Sequence, residues 1–282
     1  MPLFMALVGY FGSSLLNIES FVKVFSKKFK QLIIPAITFI TLMCVLQFYP
    51  AKSILHGFKY VVINLWFLKS AFICSLLFYV AARNQRFRTA GIIISLICSQ
   101  FIDLWYYQIQ IMYPCFILGY YLHQYRTAIE KNYKKIILVS GVAFLSMLIF
   151  WDKTFWEVPD LTINPLASNF LEYWYKTIYR IIVGISGTIL FFTLFVIYTD
   201  KILPDKIKSG MQSLGTKTLG IYLVQSFLIE ILLASYIKFD YMSLMLYNTI
   251  TSLIAIICLI VCTLTVKLLQ SFKISSFLLL GR

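Results

Sequence analysis

Lys27, Lys28 and Lys30 put three cations into four residues at the foot of an apolar run. Such a cluster can hold phosphate groups at a helix end, or it can simply orient a membrane helix. Arg180 stands four residues after Lys176, about one turn inside another apolar run. There it can hold a phosphate or a carboxylate, or pair with Glu172 or Glu230. Glu230 lies within an apolar run of its own, where an ionisable group either has a function or snorkels toward a helix end. Lys69 follows Trp66 by three residues and is read as snorkelling. Tyr222 and Gln225 share a helical face and can line a cavity. His56 and His123 are the two histidines, and the topology derived below puts them on opposite faces, so they cannot form a pair.

Other chemistries find no support. Cys44, Cys74, Cys98, Cys115, Cys258 and Cys262 all fall inside apolar runs without a CxxC pair or a histidine-rich partner set. Neither a metal site nor a disulfide framework is indicated. No glycine-rich phosphate loop or GxSxG elbow occurs, and Gly184-Ile185-Ser186-Gly187 reads as helix packing. No tightly bound cofactor is expected.

The elements that must carry these residues are membrane helices. The 282 residues are 60% hydrophobic and 13% charged, with mean hydropathy +0.84. A soluble domain needs far more polar surface. Nine apolar stretches follow, roughly Leu3–Leu16, Leu32–Tyr49, Tyr60–Ala82, Ala90–Ile102, Ile109–Leu122, Ile136–Trp151, Thr177–Tyr198, Thr218–Tyr236 and Ser243–Val266. The expected fold is all-α, a polytopic transmembrane helix bundle of about nine spans forming one membrane-embedded domain over residues 1–282. Asp103, Gln108 and Gln110 interrupt the fourth and fifth stretches, which form either a tight hairpin or a partly re-entrant segment.

The net charge of +14 excludes little by itself, but its placement excludes nucleic acid as a partner. Eighteen of the 25 cations lie in alternate loops and the C-terminal tail, and five lie in the loops between them. That bias is the positive-inside pattern and puts the C-terminus in the cytoplasm. Nine crossings then put Met1 outside, although it opens directly into apolar sequence without a charged leader. One further helix upstream would restore the parity and give ten spans. A wrongly split fourth and fifth stretch is the other resolution.

Several local sequences, in order, carry a resemblance. Met1-Pro2-Leu3-Phe4 through Gly9-Tyr10 leads into Lys27-Lys28-Phe29-Lys30-Gln31-Leu32-Ile33-Ile34-Pro35. Trp66-Phe67-Leu68, Pro114-Cys115-Phe116-Ile117-Leu118-Gly119-Tyr120 and Leu214-Gly215-Thr216-Lys217-Thr218-Leu219-Gly220-Ile221-Tyr222-Leu223 follow. This series resembles the membrane acyltransferase-3 family, especially its fucose O-acetylase-like, polysaccharide O-acetyltransferase branch. The family has ten helices with both termini cytoplasmic. The resemblance implies that the chain lacks the first helix, and that the histidine preceding Met-Pro-Leu-Phe falls upstream of Met1, so no catalytic residue is assigned here. Val8 stands in place of the usual Ser, Gln31 in place of an Arg, and Gln225 in place of a frequent His. These departures bear on activity, and this copy is expected to be truncated or inactive.

The resemblance implies transfer of an acyl group, acetyl above all, from acyl-CoA to a sugar hydroxyl of a surface polysaccharide or its lipid-linked precursor. Lys27, Lys28 and Lys30 would hold the anionic donor. Trp66, Arg180, Tyr222, Gln225 and Glu230 would line the substrate cavity. Trp66, Tyr106 and Tyr107 can stack on sugar rings or belong to interfacial aromatic belts. The alternatives are a transporter or flippase for a lipid-linked glycan, which needs paired intramembrane charges, and a non-catalytic membrane component of polysaccharide assembly.

Overall fold

The structure is a computed structural model, and it describes residues 1–18, 20–45, 65–101, 108–152, 170–201, 203–228, 244–272 and 276–278. His56, Asp103, Tyr106, Tyr107 and Glu230 lie outside the described residues. Every long element among the described residues is a helix. They are α1 (Pro2–Gly12), α2 (Phe21–Lys28), α3 (Ile34–Val45), α4 (Trp66–Ala82), α5 (Arg88–Gln100), α6 (Ile109–Gln124), α7 (Arg126–Lys131), α8 (Tyr133–Ile149), α9 (Phe170–Lys201), α10 (Asp205–Phe227) and α11 (Leu244–Gln270).

Local chemistry explains several boundaries. Pro2 opens α1, where its missing N–H costs no helical bond. A π-helical turn, Phe29–Ile33, leads into α3, whose second residue is Pro35. A wider turn accommodates a ring that would otherwise clash with the carbonyl four residues back. The stretch expected to begin at Thr218 belongs to a helix that begins at Asp205. Lys, Gln and Ser support a helix well while lowering hydropathy, and Asp205 in the first turn faces the positive end of the helix dipole with Lys208 3.5 Å away.

The chain divides into two compact units. The first comprises Met1–Lys28 and Lys69–Leu203. Its most extensive contact is α1 against α6, and α9 packs on both and on α8. Small residues set the first of these contacts. A Cβ at Gly9 would lie 1.9 Å from the Phe116 carbonyl oxygen, and one at Gly119 would lie 1.8 Å from that of Ala6. The two backbones therefore touch reciprocally, which only glycine permits. Gly184 of α9 meets Pro2 and Cys115, and Gly187 meets Phe144 of α8, so this stretch is a packing surface.

The loops of the first unit sort to its two ends. Ser95 and Tyr113 are hydrogen-bonded at 2.7 Å, and the Gln100 amide donates to the Gln110 carbonyl at 3.1 Å. α5 and α6 thus run antiparallel as a hairpin. The Tyr79 hydroxyl donates to the Ile18 carbonyl at 2.8 Å, joining the segment that follows α1 to the last turn of α4. Tyr10 packs on both His123 and Phe192. Together these contacts gather Arg83, Arg86, Arg88, His123 and Arg126 at one end, and Gln100, Gln108 and Arg180 at the other.

The second unit comprises Phe29–Leu68 and Pro204–Arg282. α10 packs along α11, with Val224, Cys262 and Val266 buried between them. Two helical stretches among the described residues, Trp174–Ile197 and Thr249–Gln270, are long and apolar enough to cross a membrane. Only 28% and 17% of their most apolar windows are buried. Helices this apolar and this bare suit lipid rather than water.

Candidate functional site

At the end of the first unit away from the basic loops, Arg180 projects from α9 half-buried. Its Nη2 donates to the Gln108 side-chain oxygen at 3.0 Å. Gln108 sits at the head of α6 with φ 47°, a left-handed conformation uncommon for a non-glycine residue. Its carbonyl begins the helix by accepting from Ile111 and Met112. Its side chain thereby points back toward α9 rather than along α6. Two residues on, Gln110 is 5% exposed. A guanidinium oriented by a neutral amide can meet a negatively charged or hydroxyl-rich group.

Of the partners open to Arg180 in sequence, Glu172 is bonded instead to Lys176, four residues on along α9, at 2.7 Å. One helical turn is an easier reach for a carboxylate than two turns.

Lys27 and Lys28 close α2, whose Phe21 packs on Tyr79 and whose Phe25 packs on Phe72, so the helix runs away from the Arg83 turn. Lys28 is half-buried, and desolvation lowers its pKa below the usual 10.5, with Lys27 adding repulsion. Lys30 follows on the π-helical turn, which belongs to the second unit. In the first unit, Arg126 Nε donates to Glu130 at 2.6 Å. This bond, with the Tyr10 hydroxyl nearby, holds the guanidinium above its ordinary pKa. The Tyr10 ring lies 4.7 Å from His123, edge to face, and 5.4 Å from Phe192. Sequence reasoning missed this constellation of Tyr10, His123 and Arg126. The spacing of His123 and Arg126 hinted at one face, but α6 ends at Gln124, and only the packing of α1 shows that Tyr10 joins them.

The remaining expected site residues are divided. Trp66, Tyr222 and Gln225 belong to the second unit, whereas Arg180 belongs to the first. Within the second unit, Phe67 stands 6.3 Å from its neighbour Trp66 and 5.8 Å from Tyr222. Gln225 is exposed.

The family model described as an acyltransferase domain, of the acyltransferase-3 type, matches residues 1–269 and so spans both units. No curated protein and no solved structure matches the chain.

Proposed function

Since the chain belongs to the acyltransferase-3 family, we propose that it is an integral-membrane O-acyltransferase that moves an acyl group from acyl-CoA to a hydroxyl of a surface polysaccharide or of its lipid-linked precursor. The reading takes all nine apolar stretches as spans of one membrane domain in the cell membrane, with the basic end in the cytoplasm.

The observation that carries it is the Arg180–Gln108 bond inside the first unit, at the end away from the Arg83–Arg88 turn. Lys27 and Lys28 close α2 and suit the phosphates of an acyl-CoA. On the acceptor side stands Arg180, its guanidinium held by Gln108. That combination suits a sugar with an anionic group, such as a lipid-linked glycan phosphate. In the transfer the hydroxyl oxygen forms a bond to the thioester carbonyl carbon, the carbon–sulfur bond breaks, and CoA leaves as thiolate. The hydroxyl proton passes to a base, a role we assign to none of the described residues. Lys30 completes the donor cations in sequence. Trp66, Tyr222, Gln225 and Glu230 are further acceptor-side candidates.

The test is transfer of radiolabelled acetyl from acetyl-CoA to membrane glycans by vesicles carrying the chain. The Lys27→Gln/Lys28→Gln variant should raise KM for the donor about tenfold with kcat little changed. Donor binding without any turnover would replace the enzyme by a non-catalytic component of glycan assembly. Absence of donor binding would favour a glycan transporter.

A further inference from the structure

α4 and α5 meet at their shared basic end and leave a groove along their exposed side. A Cβ at Gly91 would lie 2.1 Å from the Ala81 carbonyl oxygen, so the two backbones touch near the turn. The groove holds about 460 Å³ and is lined by Phe21, Leu76, Val80, Ala81, Ile94 and Cys98. Its lips are open, with Val80 65% and Ile94 60% exposed. The hydroxyls on its walls are committed elsewhere. Ser95 bonds to the Ile92 carbonyl and to Tyr113, and Ser99 bonds to the Leu96 carbonyl. What remains is an aliphatic channel that faces sideways.

The groove ends at a cationic turn. Arg83, Arg86 and Arg88 occupy three of six residues, and the whole segment from Trp66 to Phe101 contains no Asp or Glu. The Arg83 guanidinium lies 5.8 Å over the Tyr79 ring, and Phe21 packs on that ring at 6.2 Å. Arg83 is therefore fixed beside the groove mouth. Lys23 follows Phe21 by two residues and is exposed. The one acidic residue close by in sequence, Glu19, lies outside the described residues.

We propose that this groove binds an anionic phospholipid, with one acyl chain lying between α4 and α5 and the headgroup phosphate held by Arg86 and Arg83. Charge complementarity selects the occupant, since clustered cations at a membrane surface recognise anionic headgroups. The sideways opening selects its source, since the apolar lips admit a chain from the bilayer rather than from water.

The test uses the full chain in nanodiscs containing phosphatidylglycerol or phosphatidylcholine, each with a photoreactive diazirine in one tail. Label is mapped to peptides by mass spectrometry. Phosphatidylglycerol should label the Ile94–Cys98 stretch roughly tenfold more than phosphatidylcholine does, from two or more cations acting at the surface. Arg83→Gln/Arg86→Gln should erase that preference. Equal labelling by the two lipids, or a preference that survives the double variant, overturns the proposal. If the double variant does not fold, competition on the unaltered protein decides. Unlabelled phosphatidylglycerol should displace the probe, and displacement by palmitoyl-CoA alone would overturn the lipid reading.

Discussion

Arg180 of α9 and Gln108 at the head of α6 are joined by a hydrogen bond of 3.0 Å, and Gln108 adopts a left-handed backbone conformation to make it. A non-glycine residue in that region costs about 1–2 kcal/mol, whereas a hydrogen bond to a charged group contributes about 1.5–3 kcal/mol. The two effects nearly cancel in the substitution Gln108→Gly, which relieves the backbone and removes the bond. Thermal stability should therefore change little, while KM for the glycan acceptor rises as Arg180 loses its orientation. Acceptor kinetics alongside a melting curve read the two separately. An unchanged acceptor KM would remove Arg180 from the acceptor side.

Replacing the arginine itself sharpens the same point. Arg180→Lys keeps the charge but loses the planar fork that engages Gln108 and a ligand together. Acceptor KM should rise several-fold while donor KM stays put. A rise in donor KM instead would mean that Arg180 does not serve the acceptor as proposed.

The glycines separate close packing from mere sequence resemblance. A methyl group at Gly119 has no room beside the Ala6 carbonyl, whereas nothing lies within 4 Å of the Cβ position at Gly215. Gly119→Ala should destabilise the protein by about 1–3 kcal/mol. Gly215→Ala, inside α10, should stabilise it by about 0.5–1 kcal/mol through helix propensity. Melting temperatures of the two variants in one detergent check the signs.

Tyr10 contributes a ring and a hydroxyl that can be removed in turn. Tyr10→Phe loses only the hydroxyl and keeps the ring contacts, so it should leave the melting temperature nearly unchanged. Tyr10→Ala also loses the packing on His123 and Phe192 and should cost about 3–5 kcal/mol. Equal effects in a melting assay would mean that the ring contributes nothing.

Lys28 predicts opposite pH trends for stability and for donor binding. Its pKa is lowered by burial in the folded protein from the usual 10.5. Between the lowered value and 10.5 the unfolded chain binds the proton and the folded one does not, so this residue's contribution to stability rises with pH. Over the same window the folded protein loses a cation, so KM for acyl-CoA should rise. Lys28→Arg stays charged and should flatten that part of the KM profile. A profile indifferent to the substitution would take Lys28 out of the donor site.

Hydropathy located most of the longer helices, but not α2 or α7. Most of the nine apolar stretches overlap helical segments among the described residues, because apolar burial and backbone satisfaction act on each stretch separately. The resemblance carried by Gly9-Tyr10, Pro114 to Tyr120 and Leu214 to Leu223 anticipated the family that matches residues 1–269. The helix running from Asp205 to Phe227 escaped at its start, since its first turns are helical in propensity but not apolar.

The candidate site was only half legible. Arg180 stood out because a charge inside an apolar run is costly wherever it ends up. Its partner could not be read, because Glu172, Glu230 and Gln108 are all plausible until α6 and α9 are packed together. The reciprocal fit of Gly9 and Gly119 decides that packing, and it also brings Tyr10 to His123 and Arg126 from more than a hundred residues away. The sequence by itself determined where most of the longer helices and the charge lie, since both follow from each residue's own solvation. The tertiary structure alone decided which polar groups meet, since that depends on backbone approach between distant helices, which neither hydropathy nor spacing encodes.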